Sequence, residues 1–143
     1  MKILAVDPGV ATGWAEWDAG RVTRTGILQQ QEFCTFAADW IWLSHVEDVV
    51  VCESYQITAG TTKMTFQPAS LEIIGTLRWL CGVHHLKFEL SPPAAKRFMP
   101  DGKLRALGWY VRGSEGHDND ALRHLGVYLG KQNNQEVLRA RSS

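Results

Sequence analysis

With 143 residues, 45% of them hydrophobic and 21% charged, the chain has the make-up of one globular domain, large enough for a single core and too apolar for a disordered tail. No apolar run approaches the roughly 18 residues that a bilayer-spanning helix needs. Met1-Lys2-Ile3-Leu4-Ala5-Val6-Asp7 meets an acid after four apolar residues, so a secretory leader is not expected, and cytoplasmic residence is. Fifteen Lys and Arg balance fifteen Asp and Glu, so attraction to a polyanion must come from local segregation of charge.

Residues 2–7 (KILAVD) read as a mostly apolar strand ended by the turn signal Pro8-Gly9. Residues 12–18 and 21–29 flank Ala19-Gly20 and read as a hairpin, giving an antiparallel three-stranded meander over the first thirty residues. From Phe33 to His45, the residues Phe36, Ala37, Trp40, Ile41 and Leu43 recur near helical spacing. Residues 48–53 (DVVVCE) are apolar on both faces, as in a central strand. Residues 54–66 read as a polar loop. A helix runs from about Pro68, suited to a first turn, to His84, with Leu71, Ile74, Leu77 or Leu80, and Cys81 inward.

Residues 86–90 (LKFEL) make a short strand closed by Ser91-Pro92-Pro93. Short helices are predicted over Ala94–Phe98 and Lys103–Tyr110, and a last one from His117 to about Gly130. Residues 131–143 are a basic tail, expected to be mobile or helical only in part, after a domain spanning 1–130. This order predicts an α/β fold: a mixed sheet of three antiparallel then two parallel strands, with helices on both faces.

Cys34, Cys52 and Cys81 are odd in number, form no CxxC pair and sit in apolar settings, so they read as reduced core or near-core residues. Most of the six tryptophans read as core or dimer-interface residues. His84-His85 close a helix, where imidazolium suits the dipole.

Asp7 ends the first strand and Glu53 the fourth. If those strands are neighbours, both carboxylates leave the sheet at the edge where ligands collect. An acid that closes a buried strand must be solvated, paired or bound to metal. His117 and Asp120 stand i, i+3 on the last helix and share a face. Asp118 points about 100° away and reads as a helix-start acid that suits the macrodipole. Carboxylates select Mg2+ or Mn2+. Three acids and a histidine suit two ions roughly 3.5–4 Å apart, one serving the attacking water and one the leaving 3′ oxygen of a phosphodiester. Between Ser91 and Gly113, Lys96, Arg97, Lys103, Arg105 and Arg112 face a single acid, Asp101, which suits a phosphate track, with a solvated helix face as the alternative.

Asp7-Pro8-Gly9 with Thr12-Gly13, the strand acid Glu53 and the late His117-x-x-Asp120-Ala121-Leu122 resemble the RuvC Holliday junction resolvases. The resemblance spans about residues 1–130 and is closest in length to short phage-type members, so a bacterial cell or phage-infected host is implied. It implies the ribonuclease-H-like fold, a homodimer, and magnesium-dependent symmetric cutting of four-way DNA junctions, with 5′-phosphate and 3′-hydroxyl products. Asp7, Glu53, His117 and Asp120 match the family's catalytic positions. Lys96, in Pro92-x-x-x-Lys96, and Lys103 match its basic residues, with phosphate contact or charge stabilisation as their implied role. Tyr55, next to the position that Gln56 occupies, and Phe66 are candidates for stacking on DNA bases. Flaps, forks or RNA–DNA hybrids are alternative substrates. An inactive DNA-structure-binding module and an actin-like or sugar-kinase-type ATP-binding module are the rival classes. The latter needs a second phosphate loop and a duplicated domain that 143 residues do not hold.

Overall fold

The computed structural model describes residues 1–55 and 67–142. Five strands, β1 (Ile3–Asp7), β2 (Ala11–Asp18), β3 (Arg21–Gln29), β4 (Val49–Glu53) and β5 (Lys87–Ser91), form one sheet in the order β3-β2-β1-β4-β5. β1, β2 and β3 pair antiparallel, and β4 runs parallel to both β1 and β5. The predicted mixed sheet is therefore present. Ala19 and Gly20, with φ of 51° and 78°, supply the left-handed backbone that a two-residue hairpin of native twist requires.

Helices α1 (Gln30–Trp42) and α2 (Pro68–Val83) cover one face, and α4 (His117–Lys131) covers the other. A 3-10 helix (Pro93–Phe98) and the short α3 (Asp101–Ala106) precede α4, and α5 (Gln135–Ser142) follows it. Period-two alternation assigns the strand residues to the two layers. Leu4, Val6, Trp14, Val50 and Cys52 meet Phe33, Trp40, Ile41, Ile73 and Leu77 on the α1/α2 side. Ile3, Ala5, Ala15, Trp17, Val49 and Val51 meet Leu122, Leu125 and Tyr128 on the α4 side.

Several boundaries differ from the sequence reading. α1 starts at Gln30 rather than Phe33, because β3 runs into it without a loop and Gln30 N–H donates to Val10 O at 3.0 Å. The segment predicted as a helix over 94–98 is a 3-10 helix, and α3 covers 101–106 rather than 103–110. Gly108, at φ 74°, turns the chain out of the helix and Trp109 drops into the core. The tail is helical in part, with Val137 fully buried against the α4 layer. Cys52 and Cys81 are buried and Cys34 half-buried, all as thiols. Trp14, Trp17, Trp40 and Trp109 belong to the core, whereas Trp42 and Trp79 are 72% and 67% exposed. Among the described residues no helix is long and apolar enough to cross a membrane.

Candidate active site

Odd-numbered residues of both β1 and β4 face α4: Ile3 and Ala5 on one strand, Val49 and Val51 on the other. Asp7 and Glu53 continue those rows, one step beyond the Val6–Cys52 pair, so both carboxylates rise beside the start of α4 at the carboxyl ends of adjacent parallel strands. The turn after Asp7 is tied down. Thr12 Oγ1 donates to Gly9 O (2.9 Å), and Ser70 Oγ from α2 donates to Pro8 O (2.9 Å).

Gly116, at φ 103°, turns the chain into α4. Gly13, the β2 partner of Asp7, lets the helix start approach the sheet, since a Cβ there would overlap the His117 carbonyl. His117 Nδ1 consequently lies 3.1 Å from Asp7 Oδ2. Asn119 clasps the preceding loop, accepting from Val111 N–H and donating to Val111 O, both at 2.9 Å. Asp118 is buried and accepts from Ser114 Oγ (2.6 Å) and Asn119 N–H (2.8 Å), a structural acceptor at the helix start.

Asp7, Glu53, His117 and Asp120 line one open cleft of about 600 Å3, together with Lys96. The Lys96 ammonium stands 3.1 Å from Glu53 Oε2 and 3.6 Å from Asp120 Oδ2. Burial, then repulsion from Glu53 and Asp120, pushes the Asp7 carboxyl up to about 6 against a hydrogen bond from His117. For Glu53 burial acts the same way, but bonding and charge from His124 and Lys96 outweigh it and lower its pKa. Burial opposes the Lys96 charge, and Glu53, Asp120 and Asp7 overcome it, so its pKa is raised.

Three carboxylates and an imidazole around one opening are a donor set for a hard divalent cation. The crowding that raises Asp7 is what such a cation would relieve, so the residues fit Mg2+ or Mn2+. Among the described residues, no three His, Cys, Asp or Glu side chains are already drawn together as a cation cage. Lys96 occupies the space between two of the acids instead.

The rest of the basic segment does not converge on this cleft. Arg97 lies over the Phe98 ring (5.1 Å) beside a separate groove, and Arg105 lies over Tyr110 (4.2 Å). Lys103 is on α3 and Arg112 on the exposed turn before α4; neither lines the cleft. Tyr55 does line it, and its hydroxyl accepts from Gln67 N–H at 3.0 Å. Phe66 lies outside the described residues. His84 packs edge-on against Trp42, far along the chain from the acids.

Sequence reasoning missed two α4 residues. His124 is fully buried and lies 2.6 Å from Glu53 Oε2. Arg123 pairs with Asp101 and approaches Asp120 Oδ1 at 3.5 Å. The available signal was spacing: His124 is i+4 from Asp120 and i+7 from His117, hence on the same face.

No protein-family model and no curated protein sequence matches the chain. Among solved structures it is similar to Thermus thermophilus RuvC in complex with a Holliday junction substrate, at TM-score 0.64 and 11% identity, covering 95% of this chain and 97% of that one. T. thermophilus RuvC in another structure gives 0.60 and 12%, covering 92% and 97%. The fowlpox virus Holliday junction resolvase gives 0.62 and 14%, covering 92% and 99%. The five-stranded mixed sheet with helices on both faces is thus a ribonuclease-H-like fold. Within that fold, the chain has the arrangement of the RuvC-like resolvases over nearly its whole length.

Proposed function

We propose that this chain is a divalent-metal-dependent endonuclease that cleaves branched DNA, with the Holliday junction as its substrate. The observation that carries this reading is the convergence of Asp7, Glu53, His117 and Asp120 on one cleft. The fold is shared with resolvases solved on junction DNA, which supports the substrate class.

Asp7, Glu53, His117 and Asp120 would hold Mg2+ or Mn2+, two ions per site. The ions would supply an activated water and charge stabilisation at the leaving 3′ oxygen, giving 5′-phosphate and 3′-hydroxyl ends. With Asp7 ionised, His117 Nδ1–H donates to it and the Nε2 lone pair is left available as a ligand. The Lys96 ammonium, half-sunk between Glu53 and Asp120, can turn to the scissile phosphate and offset its developing charge. Arg97, Lys103, Arg105 and Arg112 would follow the DNA arms outside the cleft, and Tyr55 at its rim would meet an unpaired base.

Paired incision requires two such clefts, so the working unit is a homodimer. Trp79 and Val83, one turn apart on the outer face of α2, are 67% and 52% exposed, and Trp42 and Leu43 close the neighbouring α1 at 72% and 70%. An apolar surface of this kind supports self-association.

The test is magnesium-dependent incision of a synthetic four-way junction, compared with flap, fork and RNA–DNA hybrid substrates. Symmetric paired nicks on the junction, abolished by Asp7→Asn or Glu53→Gln, are the expected result. Cleavage that persists near the wild-type rate in either variant overturns the assigned site, and faster cutting of another substrate overturns the assigned substrate.

A further inference from the structure

Glu53 ends a strand, and its carboxylate is separated from the backbone by three rotatable torsions. A cation site needs that carboxylate in one place before the cation arrives, because ordering it on binding costs affinity. Lys96 contacts Glu53 Oε2, but Lys96 is shared with Asp120 and 29% exposed at its side chain. It is also the group that a cation or a phosphate would displace. It cannot be the fixed anchor.

His124 has none of these weaknesses. Its ring is 0% exposed, within the α4 layer. Nε2 lies 2.6 Å from Glu53 Oε2, and Nδ1 lies 2.7 Å from Ser91 Oγ, at the end of β5. Ser91 is itself 4% exposed, and its carbonyl accepts from Ser54 N–H at 2.8 Å, tying the end of β5 to the residue after Glu53. One arrangement places every proton in a hydrogen bond: the Ser91 hydroxyl donates to Nδ1, and Nε2–H donates to Glu53. Ser91 thereby selects the tautomer that makes His124 a donor to the carboxylate. Oε2 is occupied, and no described residue bonds to Oε1.

We propose that His124, oriented by Ser91, is a positioning residue that holds Glu53 Oε2 from inside the core and leaves Oε1 to bind the divalent cation. This rests on the reading of the cleft as a cation-dependent nuclease site. Bonding partners behind a ligating carboxylate contribute about 10–100-fold to metal affinity. α4 then carries two layers of the site: His117 and Asp120 at the opening, and His124 one turn deeper behind Glu53.

The test uses the full chain without DNA and reads Mn2+ binding by titration calorimetry. His124→Leu, which fills the volume without a donor, should weaken Mn2+ by about 10–100-fold. His124→Gln, which keeps an N–H near the Nε2 position, should recover most of that loss. Junction binding in EDTA should be the same in all variants, and circular dichroism should report a folded chain. A folded His124→Leu variant with wild-type Mn2+ affinity overturns the proposal, since a purely structural histidine would change stability and not metal affinity. If His124→Leu does not fold, Ser91→Ala decides: a severalfold weaker Mn2+ isotherm supports the relay, and an unchanged one overturns it. Wild-type chain that binds no Mn2+ overturns the nuclease reading itself, whereas wild-type binding beside an unaffected His124→Leu overturns this inference alone.

Discussion

Gly13 and His117 meet backbone to backbone: the sheet residue paired with Asp7 lies directly under the carbonyl that opens α4, with no room for a methyl group between them. The Asp7–His117 contact depends on that approach. Gly13→Ala must lift the helix start or bend β2, costing about 1–3 kcal/mol of stability or more. Because the strain falls between two site residues, the variant should lose cleavage activity even under conditions where it is fully folded. Urea titration and junction cleavage, run side by side, check both effects.

Asp7→Asn should separate stability from function. The folded carboxyl sits at about 6 against an ordinary 3.8, so the folded state holds the proton more tightly than the unfolded chain. The stability this confers is complete below about pH 4 and is lost as pH rises toward 6; above that, ionised Asp7 is a net burden of roughly 2–3 kcal/mol in the metal-free protein. Asp7→Asn should therefore raise the EDTA melting temperature at pH 8 and leave it nearly unchanged at pH 4. Cleavage should fall by at least about 10²–10³-fold, the scale for one electrostatic contributor to a transition state. Scanning calorimetry at the two pH values is the discriminating measurement.

Glu16 predicts the opposite pH dependence. Its carboxylate, held chiefly by Arg24 and, against the cost of burial, also by Thr23 and Trp40, lies at about 2. A depressed carboxyl contributes stability above its unfolded value of 4.5 that disappears as pH falls toward 2. Glu16→Gln should cost about 2–3 kcal/mol at pH 7 and less than about 1 kcal/mol at pH 2.5. Chemical denaturation at both pH values tests this.

Lys96→Met should lower the cleavage rate by about 10²-fold, through lost charge stabilisation. Its effect on junction affinity should be small, with the log–log salt slope of binding shallower by about one. A variant that cuts normally but binds poorly would place Lys96 on the DNA track and out of the chemistry.

Trp79→Glu should convert a dimer into a monomer in sedimentation, since a charge at the centre of an apolar contact costs several times what the tryptophan contributed. The variant should keep Mn2+ binding and lose paired incision. A wild-type chain that sediments as a monomer, with and without junction DNA, removes the dimer from the scheme.

The strand acids were legible because each follows an apolar run, and a carboxylate at such a place needs a partner. His117 and Asp120 were legible from their spacing on a helix. The placement of the basic segment relative to those acids was not. Counting bases from 91 to 113 treats them as one surface, but the 3-10 helix and the brief α3 rotate Arg97 onto Phe98 and Arg105 onto Tyr110, so only Lys96 reaches the acids. His124 escaped notice because it sits beside Leu125 in the buried part of α4, where a histidine reads as core. Its meaning appears only when β4 and β5 are placed next to it. Trp42 and Trp79 illustrate a related gap: helical spacing shows which residues share a face, but not whether anything covers that face.

Parallel pairing of β1 with β4 turns the distance between Asp7 and Glu53 into a lattice constant. Neighbouring strands stand about 4.8 Å apart whatever the length of chain between them, and here forty-five residues, including a hairpin and a helix, intervene. Insertions at the Ala19-Gly20 tip or after α1 would leave that separation untouched. The adjustable half of the site is the one that arrives on α4, where a single glycine sets the height of the helix above the sheet.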